Sequence, residues 1–206
     1  MTPATRARYP YRPPDPHRDP QPVPGADAMP PWLEERLFDR RIVMLRGPLT
    51  GPVASQAAAA LFTLDALGAQ PVELHLTALD GELSAAFAIV DAIDAMRAPL
   101  RAVVPAQVGG AAVAVLAAAG RRLAHRHARI RLTEPHATGA GGTADEVAAA
   151  AGEYLRELDE LVERLVAVTG QPRSRIEDDL AAGRVLTAEQ AREYGLIDEI
   201  IGAPAG

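Results

Sequence analysis

Apolar residues along this chain occur as short runs and as helical stripes, and the two patterns alternate. Compact apolar runs next to glycine or proline are typical of buried strands, and they predict strands at residues 41–46, 72–76, 101–104 and 128–132. Segments rich in alanine and leucine predict helices at residues 52–67, 83–96, 111–119, 144–168 and 172–180. Strand, turn and helix in series indicate an α/β fold in which helices cover the sheets.

Two further helices flank this series. Leu33, Leu37 and Phe38 share one face of a predicted short helix, which begins near Trp32 and opens the globular part. At the other end, Thr187 and the residue three positions later, Gln190, have the spacing of a capping box, so a last helix is expected to begin there.

The predicted helix at residues 144–168 has the widest apolar stripe of the chain. The stripe consists of Val147, Leu155, Leu158, Leu161, Val162, Leu165 and Val166. A glycine-rich stretch at residues 138–143 precedes the helix, and Gly170 and Pro172 end it. One small domain cannot cover so wide a stripe, so we expect contacts with other subunits; a helix buried within its own domain is the alternative.

Composition narrows the chemistry. The 206 residues are 48% hydrophobic but only 4% aromatic, so small and aliphatic side chains must build the core. A net charge of −6 argues against nucleic acid and anionic membranes as partners. The chain has no cysteine and no lysine, which excludes thiol nucleophiles, thiolate metal sites, serine–lysine dyads and lysine-anchored pyridoxal chemistry. We expect neither a cofactor nor a metal.

Three regions differ in composition. Residues 1–31 contain ten prolines among polar side chains, which predicts a disordered tail. Residues 32–202 carry the strand and helix patterns and predict one domain, and residues 203–206 form a short tail. No run approaches the roughly 20 apolar residues that span a bilayer, and the N-terminus does not resemble a secretory signal. A cytoplasmic location is therefore expected.

Four segments, in this order, resemble the ClpP serine peptidases. They are residues 36–45 (RLFDRRIVML), Asp80-Gly81, residues 154–171 and residues 186–198 (LTAEQAREYGLID). The likeness spans residues 32–201, and the last motif alone is fairly specific. It implies a ClpP/crotonase-like fold of stacked ββα units with a protruding handle helix. It also implies heptameric rings that stack on each other through these helices. AAA+ unfoldases would dock on the outer faces of the stacked rings.

The resemblance implies a catalytic triad as well, and this chain lacks its residues. Alignment on the flanking motifs places the family's serine at Gly110, or at Ala111 with a slip of one residue. The histidine falls at Thr133 and the aspartate at Gly183, while the oxyanion-equivalent backbone groups fall at Gly81 and Ala111. Hydrolysis needs a nucleophile, a base and a group that orients the base, and none is present. The chain therefore resembles the inactive ClpR-type members.

Two neighbouring side chains could replace missing triad members only with a shifted alignment. His136 lies three residues after Thr133, beyond a proline, and a change of register would be needed to bring it into place. Asp179 lies one helical turn before Gly183 and is expected on the solvated surface.

The resemblance also assigns surfaces. Leu155, Leu158, Leu161 and Val162 are expected at the interface between subunits. The family's aromatic docking positions match Glu73 and His75, and a carboxylate disfavours insertion of an apolar loop because it must lose water. The proline-rich tail replaces the family's axial loop, so we expect this subunit not to recruit an AAA+ unfoldase by itself.

Other constellations are weaker. Ser84 is expected to be a small packing residue. His125 and His127 could share one face of an extended segment, but no third metal ligand is near, and solvated surface is expected. Five arginines form a basic cluster that is expected either to pair with carboxylates across a subunit interface or to be solvated: Arg121, Arg122, Arg126, Arg129 and Arg131.

Together these patterns predict a non-catalytic ClpP-like subunit, which is not an enzyme. We expect it to form homo-oligomeric rings, or to join an active ClpP paralogue and modulate it. Two alternatives stay open. A crotonase-like acyl or thioester enzyme would use a residual oxyanion hole, with Asp80 or Glu134 as acid or base. A stand-alone scaffold would bind the Clp assembly without joining its ring.

Overall fold

The computed structural model describes residues 29–136 and 142–202, and in these stretches the chain forms seven helices and eight strands. The helices are α1 (Pro31–Asp39), α2 (Gly51–Ala66), α3 (Leu83–Ala95), α4 (Ala112–Ala118), α5 (Ala144–Thr169), α6 (Arg173–Ala182) and α7 (Ala188–Tyr194). The strands are β1 (Ile42–Arg46), β2 (Val72–Thr77), β3 (Leu100–Val104), β4 (Gln107–Gly109), β5 (Arg121–His125), β6 (Arg129–Leu132), β7 (Arg184–Thr187) and β8 (Glu199–Ile201). The predicted tails, apart from residues 29–31, and most of the glycine-rich stretch lie outside the described residues.

A five-stranded sheet forms the centre of the domain. Its strand order is β1-β2-β3-β5-β8, and every neighbouring pair is parallel. In β2 the buried residues Val72, Leu74 and Leu76 alternate with half-buried ones, so one side of the strand faces the core. Helices α2 and α3 pack against each other, and α2 also packs against β1. The predicted α/β fold is confirmed.

A smaller, three-stranded sheet has the order β4-β6-β7. Strands β4 and β6 are parallel, whereas β7 is antiparallel to β6. The carboxyl ends of β4 and β6 and the amino end of β7 therefore lie at one edge of this sheet. This edge positions the candidate site.

The sequence pattern does not predict the four short strands β4, β5, β7 and β8. Each has only three to five residues, and their sequences contain glycine or charged residues in place of an apolar run. Strand β5, for example, begins with Arg121 and Arg122, yet it pairs with β3 on one side and β8 on the other. These strands are defined by their partners, which lie far away in sequence.

Helix α5 is 26 residues long, and caps define its ends. The Glu146 carboxylate accepts the Thr143 N–H at 2.7 Å, the Glu146 N–H donates to the Thr143 hydroxyl at 3.4 Å, and Gly170 ends the helix with a φ of 68°. Residues 144–149 are all exposed, so the first turns project from the domain. None of the helices in the described stretches is long and apolar enough to cross a membrane.

The four residues expected at the subunit interface divide between two environments. Leu155 is 62% exposed and Leu158 is partly buried, but Leu161 and Val162 are buried in the core of their own chain. The expectation for Leu161 and Val162 is therefore corrected: the second half of α5 packs on α3, α4 and α6, and these two side chains serve the core.

Candidate functional site

The three positions aligned with the triad meet at one edge of the three-stranded sheet. Gly110 follows β4, Thr133 follows β6 and Gly183 precedes β7. The register pairs Leu132 with Arg184, so Thr133 and Gly183 are neighbours across the strand pair. A Cβ atom at Gly183 would lie 3.8 Å from the Thr133 Oγ1 atom. The fold thus brings together positions that are far apart in sequence.

The Thr133 hydroxyl is buried and, among the described residues, has no hydrogen-bond partner. Burial of an unpaired hydroxyl costs roughly 1–3 kcal/mol, so the surroundings do not match this side chain well. Its neighbour Gly183 has a φ of 66° and offers only backbone. Because a threonine hydroxyl is not a base near neutral pH, the pair can neither accept a proton nor orient a base.

Gly110 lies in the turn between β4 and α4, with a φ of 55° that favours glycine. A Cβ at this position would lie 3.2 Å from the Leu79 carbonyl oxygen and 3.8 Å from the Asp80 Cα atom. Any side chain here would therefore begin against the loop between β2 and α3. Ala111, the alternative alignment, is fully buried in a helical conformation, and its methyl group cannot attack a substrate.

Gly81, one of the two oxyanion-equivalent positions, lies in that same loop and is packed tightly on Leu49. A Cβ at Gly81 would lie 2.5 Å from both the Leu49 nitrogen and the Leu49 Cβ, and its φ of 144° also requires glycine. The Gly81 N–H donates to the Oδ1 atom of Asp80 at 2.8 Å. The N–H that the resemblance assigns to an oxyanion is therefore already bonded to a carboxylate.

Glu134, a candidate acid or base, is tied to helix α5. The Tyr154 hydroxyl lies 3.2 Å from Glu134 Oε1 and donates to the Pro135 carbonyl at 2.5 Å. Burial and the negative charge of Glu134 raise the pKa of Tyr154 to about 12, so the phenol stays protonated at ordinary pH. Tyr154 thus fixes the segment that follows β6.

The candidate residues Ser84, His125, His127 and His136 are all exposed. Ser84 is exposed in the first turn of α3, which corrects its expected role as a packing residue. His136 is exposed. His125, at the end of β5, and His127, in the next turn, are exposed as expected. Within residues 29–136 and 142–202, no three histidine, aspartate or glutamate side chains are grouped to hold a metal ion.

Asp179 is not on the solvated surface, which corrects the sequence expectation. Its side chain is only 14% exposed and accepts hydrogen bonds from Arg184 at 3.0 Å and from the Tyr194 hydroxyl at 2.8 Å. The Arg175 and Arg184 guanidinium groups lie 5.2 and 5.6 Å from the Tyr194 ring centre. Burial and the charge of Asp179 raise the pKa of Tyr194. Asp179 joins α6, β7 and α7, and its carboxylate is not available to the site.

Two of the five arginines in the basic cluster are paired within the chain. Arg121 binds Glu199, and Arg122 binds Asp198, each at 2.5 Å, which joins β5 to the start of β8. Burial opposes ionisation of Asp198, but the hydrogen bonds and charge of Arg122 outweigh it and lower the pKa of Asp198. We expected these arginines either to pair with carboxylates across a subunit interface or to be purely solvated. For Arg121 and Arg122 both expectations are wrong, because their partners lie in the same chain.

Glu73 and His75 occupy the side of β2 that faces away from the buried residues of that strand. Their side chains are 38% and 23% exposed, and His75 Nε2 lies 3.3 Å from Glu73 Oε2. Arg101, on the neighbouring strand β3, lies 3.8 Å from Glu73 Oε1. This side of the sheet therefore carries a partly buried network of charged and polar groups.

Two sheets covered by helices, a projecting helix and a site at the edge of the smaller sheet define an α/β domain of the ClpP/crotonase type. Comparison with known families gives the more specific assignment. The family model described as Clp protease matches residues 32–204, almost the whole described part of the chain. The chain belongs to the Clp protease family.

Curated relatives agree with this assignment. The ATP-dependent Clp protease proteolytic subunit 2 of Streptomyces coelicolor is 30% identical over 169 residues, which cover 81% of this chain and 78% of the relative. The proteolytic subunit 1 of Thermobifida fusca is 28% identical over 180 residues, 86% of this chain and 80% of the relative. The proteolytic subunit 1 of Chlamydia caviae is 31% identical over 173 residues, which cover 82% of this chain and 91% of the relative.

Proposed function

We propose that this chain is a non-catalytic subunit of ClpP-type rings, which assembles with itself or with an active ClpP paralogue and modulates the assembly. The observation that carries the proposal is that Gly110, Thr133 and Gly183 lie at one sheet edge. These are the residues that the alignment matches with the family's serine, histidine and aspartate. None of them supplies a nucleophile, a base or an orienting carboxylate. Without these groups, a residual site accelerates hydrolysis by only about 10³–10⁴-fold over water.

Assembly into rings is supported by the projecting part of α5. Leu155 is 62% exposed and Val147 is 44% exposed on this helix, and exposed apolar side chains on a projecting helix are suited to a subunit contact. The curated relatives are named as proteolytic subunits. A chain of the same family that lacks the triad can therefore occupy a ring position without cutting.

The acyl-transfer alternative has less support. Its two candidate acid–base groups are engaged in local contacts: Asp80 accepts the Gly81 N–H, and Glu134 lies against the Tyr154 hydroxyl. A base must be free to accept a proton from a bound substrate or water.

The test is co-expression of the tagged full-length chain with an active ClpP paralogue, followed by affinity purification and native mass spectrometry. We expect ring-sized particles that contain only this chain, or mixed rings in which it replaces paralogue subunits one for one. A monomer attached to a complete paralogue ring would favour the scaffold alternative. A monomer that neither forms rings nor retains the paralogue would contradict the proposal.

A further inference from the structure

Asp80 lies against the place where the reaction of an active relative would occur. The Asp80 Cα is 3.8 Å from the position of a Cβ at Gly110, and the Asp80 carboxylate accepts the Gly81 N–H at 2.8 Å. The tight contact of Gly81 with Leu49 holds this loop in place, since the Leu49 N–H donates to the Asp80 carbonyl at 3.0 Å. The backbone of Asp80 is therefore held beside the site, and its exposed carboxylate is bonded to the adjacent Gly81 N–H.

The space next to Asp80 is open. A cavity of 530 Å³ lies beside it, lined in part by Thr77, Leu79, Ala106 and Gln107. Asp80 is exposed and itself lines this cavity, so we infer that it acts on the neighbouring site through its charge and through the hydrogen bond that it accepts.

We propose that Asp80 is an inhibitory carboxylate that disables the oxyanion-binding position of this chain, in addition to the loss of the triad. Hydrolysis of an acyl bond places negative charge on the carbonyl oxygen and needs N–H donors aimed at it. The Asp80 carboxylate takes the Gly81 donor and adds a like charge nearby. The site is thus closed to acyl intermediates of either a peptide or a thioester. This inference rests on the proposed assignment of the degenerate site.

The test restores the missing triad in the full-length chain with and without the carboxylate. The triple variant carries Gly110→Ser, Thr133→His and Gly183→Asp, and the quadruple variant adds Asp80→Ala. Loss of one oxyanion donor typically lowers the rate about 10²–10³-fold. We therefore expect the quadruple variant to hydrolyse a fluorogenic peptide at least about 100-fold faster than the triple variant.

A matched control adds Glu82→Ala to the triple variant in place of Asp80→Ala. It removes a carboxylate two residues away that does not accept the Gly81 N–H, and it should leave the rate of the triple variant unchanged. If the triple and quadruple variants hydrolyse the peptide equally fast, the inhibitory role of Asp80 is refuted while the site assignment stands. Hydrolysis by the unmodified chain would instead refute the proposed function.

A second measurement covers the case in which the triad variants fail to fold or are all silent. In the otherwise unmodified chain, Asp80→Ala should speed hydrogen exchange of the Gly81 amide by about fivefold or more, because it removes the acceptor. Glu82→Ala should not. If the Gly81 amide exchanges faster in Asp80→Ala while the triad variants are silent, the Asp80 hydrogen bond is supported and the triad assignment is wrong. Unchanged exchange overturns the inference.

Discussion

The close approach of Gly81 to Leu49 fixes the loop that borders the candidate site. The Glu82 N–H donates to the Leu49 carbonyl at 2.9 Å, and the Leu49 N–H donates to the Asp80 carbonyl at 3.0 Å. With no side chain at Gly81, the two backbone segments come together at a distance that a Cβ would prevent. The loop can therefore present Asp80 to the sheet edge only with glycine at this position.

Gly81→Ala is expected to destabilise the protein by at least about 3 kcal/mol, through both the close contact and the positive φ. Gly47→Ala is the matched control, because Gly47 also has a positive φ, of 74°, but no other atom within 4 Å of the added Cβ. The control should lose only about 1 kcal/mol. Urea unfolding measures both, and equal losses would show that the Leu49 contact does not matter.

Asp179→Ala should lower the free energy of unfolding by about 2–3 kcal/mol, since it leaves the Tyr194 hydroxyl and the Arg184 guanidinium without their shared acceptor. Asp178→Ala removes an exposed carboxylate next to it and should change stability by less than about 0.5 kcal/mol. Chemical denaturation of the two variants checks this. A surface role for Asp179 would make them indistinguishable.

At the residue scale, the flanking motifs are the basis for assigning Gly110, Thr133 and Gly183 to the triad positions, and that assignment stays a prediction. The motifs do not predict what surrounds these residues. One hydrogen-bond partner of Asp179 is Tyr194, 15 residues away on another helix, and helical spacing does not predict this contact. The hydrogen bond from Gly81 to Asp80 likewise depends on loop geometry that the sequence leaves open.

The two halves of helix α5 lie in different environments. Its second half contributes Leu161 and Leu165 to the core, and both are fully buried. Its first half projects with Leu155 exposed, so the apolar stripe that the sequence presents as continuous serves two different environments. Substitutions in the two halves should therefore have different effects.

Leu155→Glu should weaken ring assembly without unfolding the chain, because the side chain is exposed in the protomer but would bury a charge in a subunit contact. Arg156→Glu introduces the same residue at the neighbouring exposed position and is the control. Native mass spectrometry and sedimentation velocity report the assembly. If Leu155→Glu assembles as the control does, the subunit contact lies elsewhere.

At the element scale, the long apolar patterns predict most of the helices and strands. They do not predict the short strands β4, β5, β7 and β8. Strands β1 and β2 and helices α2 to α5 follow from runs and stripes that are complete within themselves. Strand β7 has only four residues, Arg184–Thr187, and is extended because it pairs with β6, more than 50 residues earlier. Such pairing depends on tertiary structure, which local sequence does not encode.

The molecule as a whole presents a charged face on its larger sheet. Glu73 lies near both His75 and Arg101, and the apolar Met44 is paired with His75 on the neighbouring strand. An apolar loop that docked on this face would have to remove water from the Glu73 carboxylate or force its protonation. The unmodified chain is therefore expected not to recruit an unfoldase.

Replacing Glu73 and His75 together by Tyr should create or strengthen binding of an AAA+ unfoldase to the assembled protein, because the change removes the charge and adds apolar surface. Deleting residues 1–31 alone should not create or strengthen this binding. Titration of a labelled unfoldase against each assembly, followed by fluorescence anisotropy, measures this. Tight binding by the unmodified protein would place the docking surface elsewhere.

The central claim, the absence of catalysis, is tested most directly by the intact mass of the full-length protein after treatment with a fluorophosphonate probe. The chain has only three serines, Ser55, Ser84 and Ser174, and none lies at the sheet edge that holds Gly110. We predict no added mass under conditions in which an active ClpP paralogue is fully labelled. Stoichiometric addition at any serine, or at Thr133, would contradict the account.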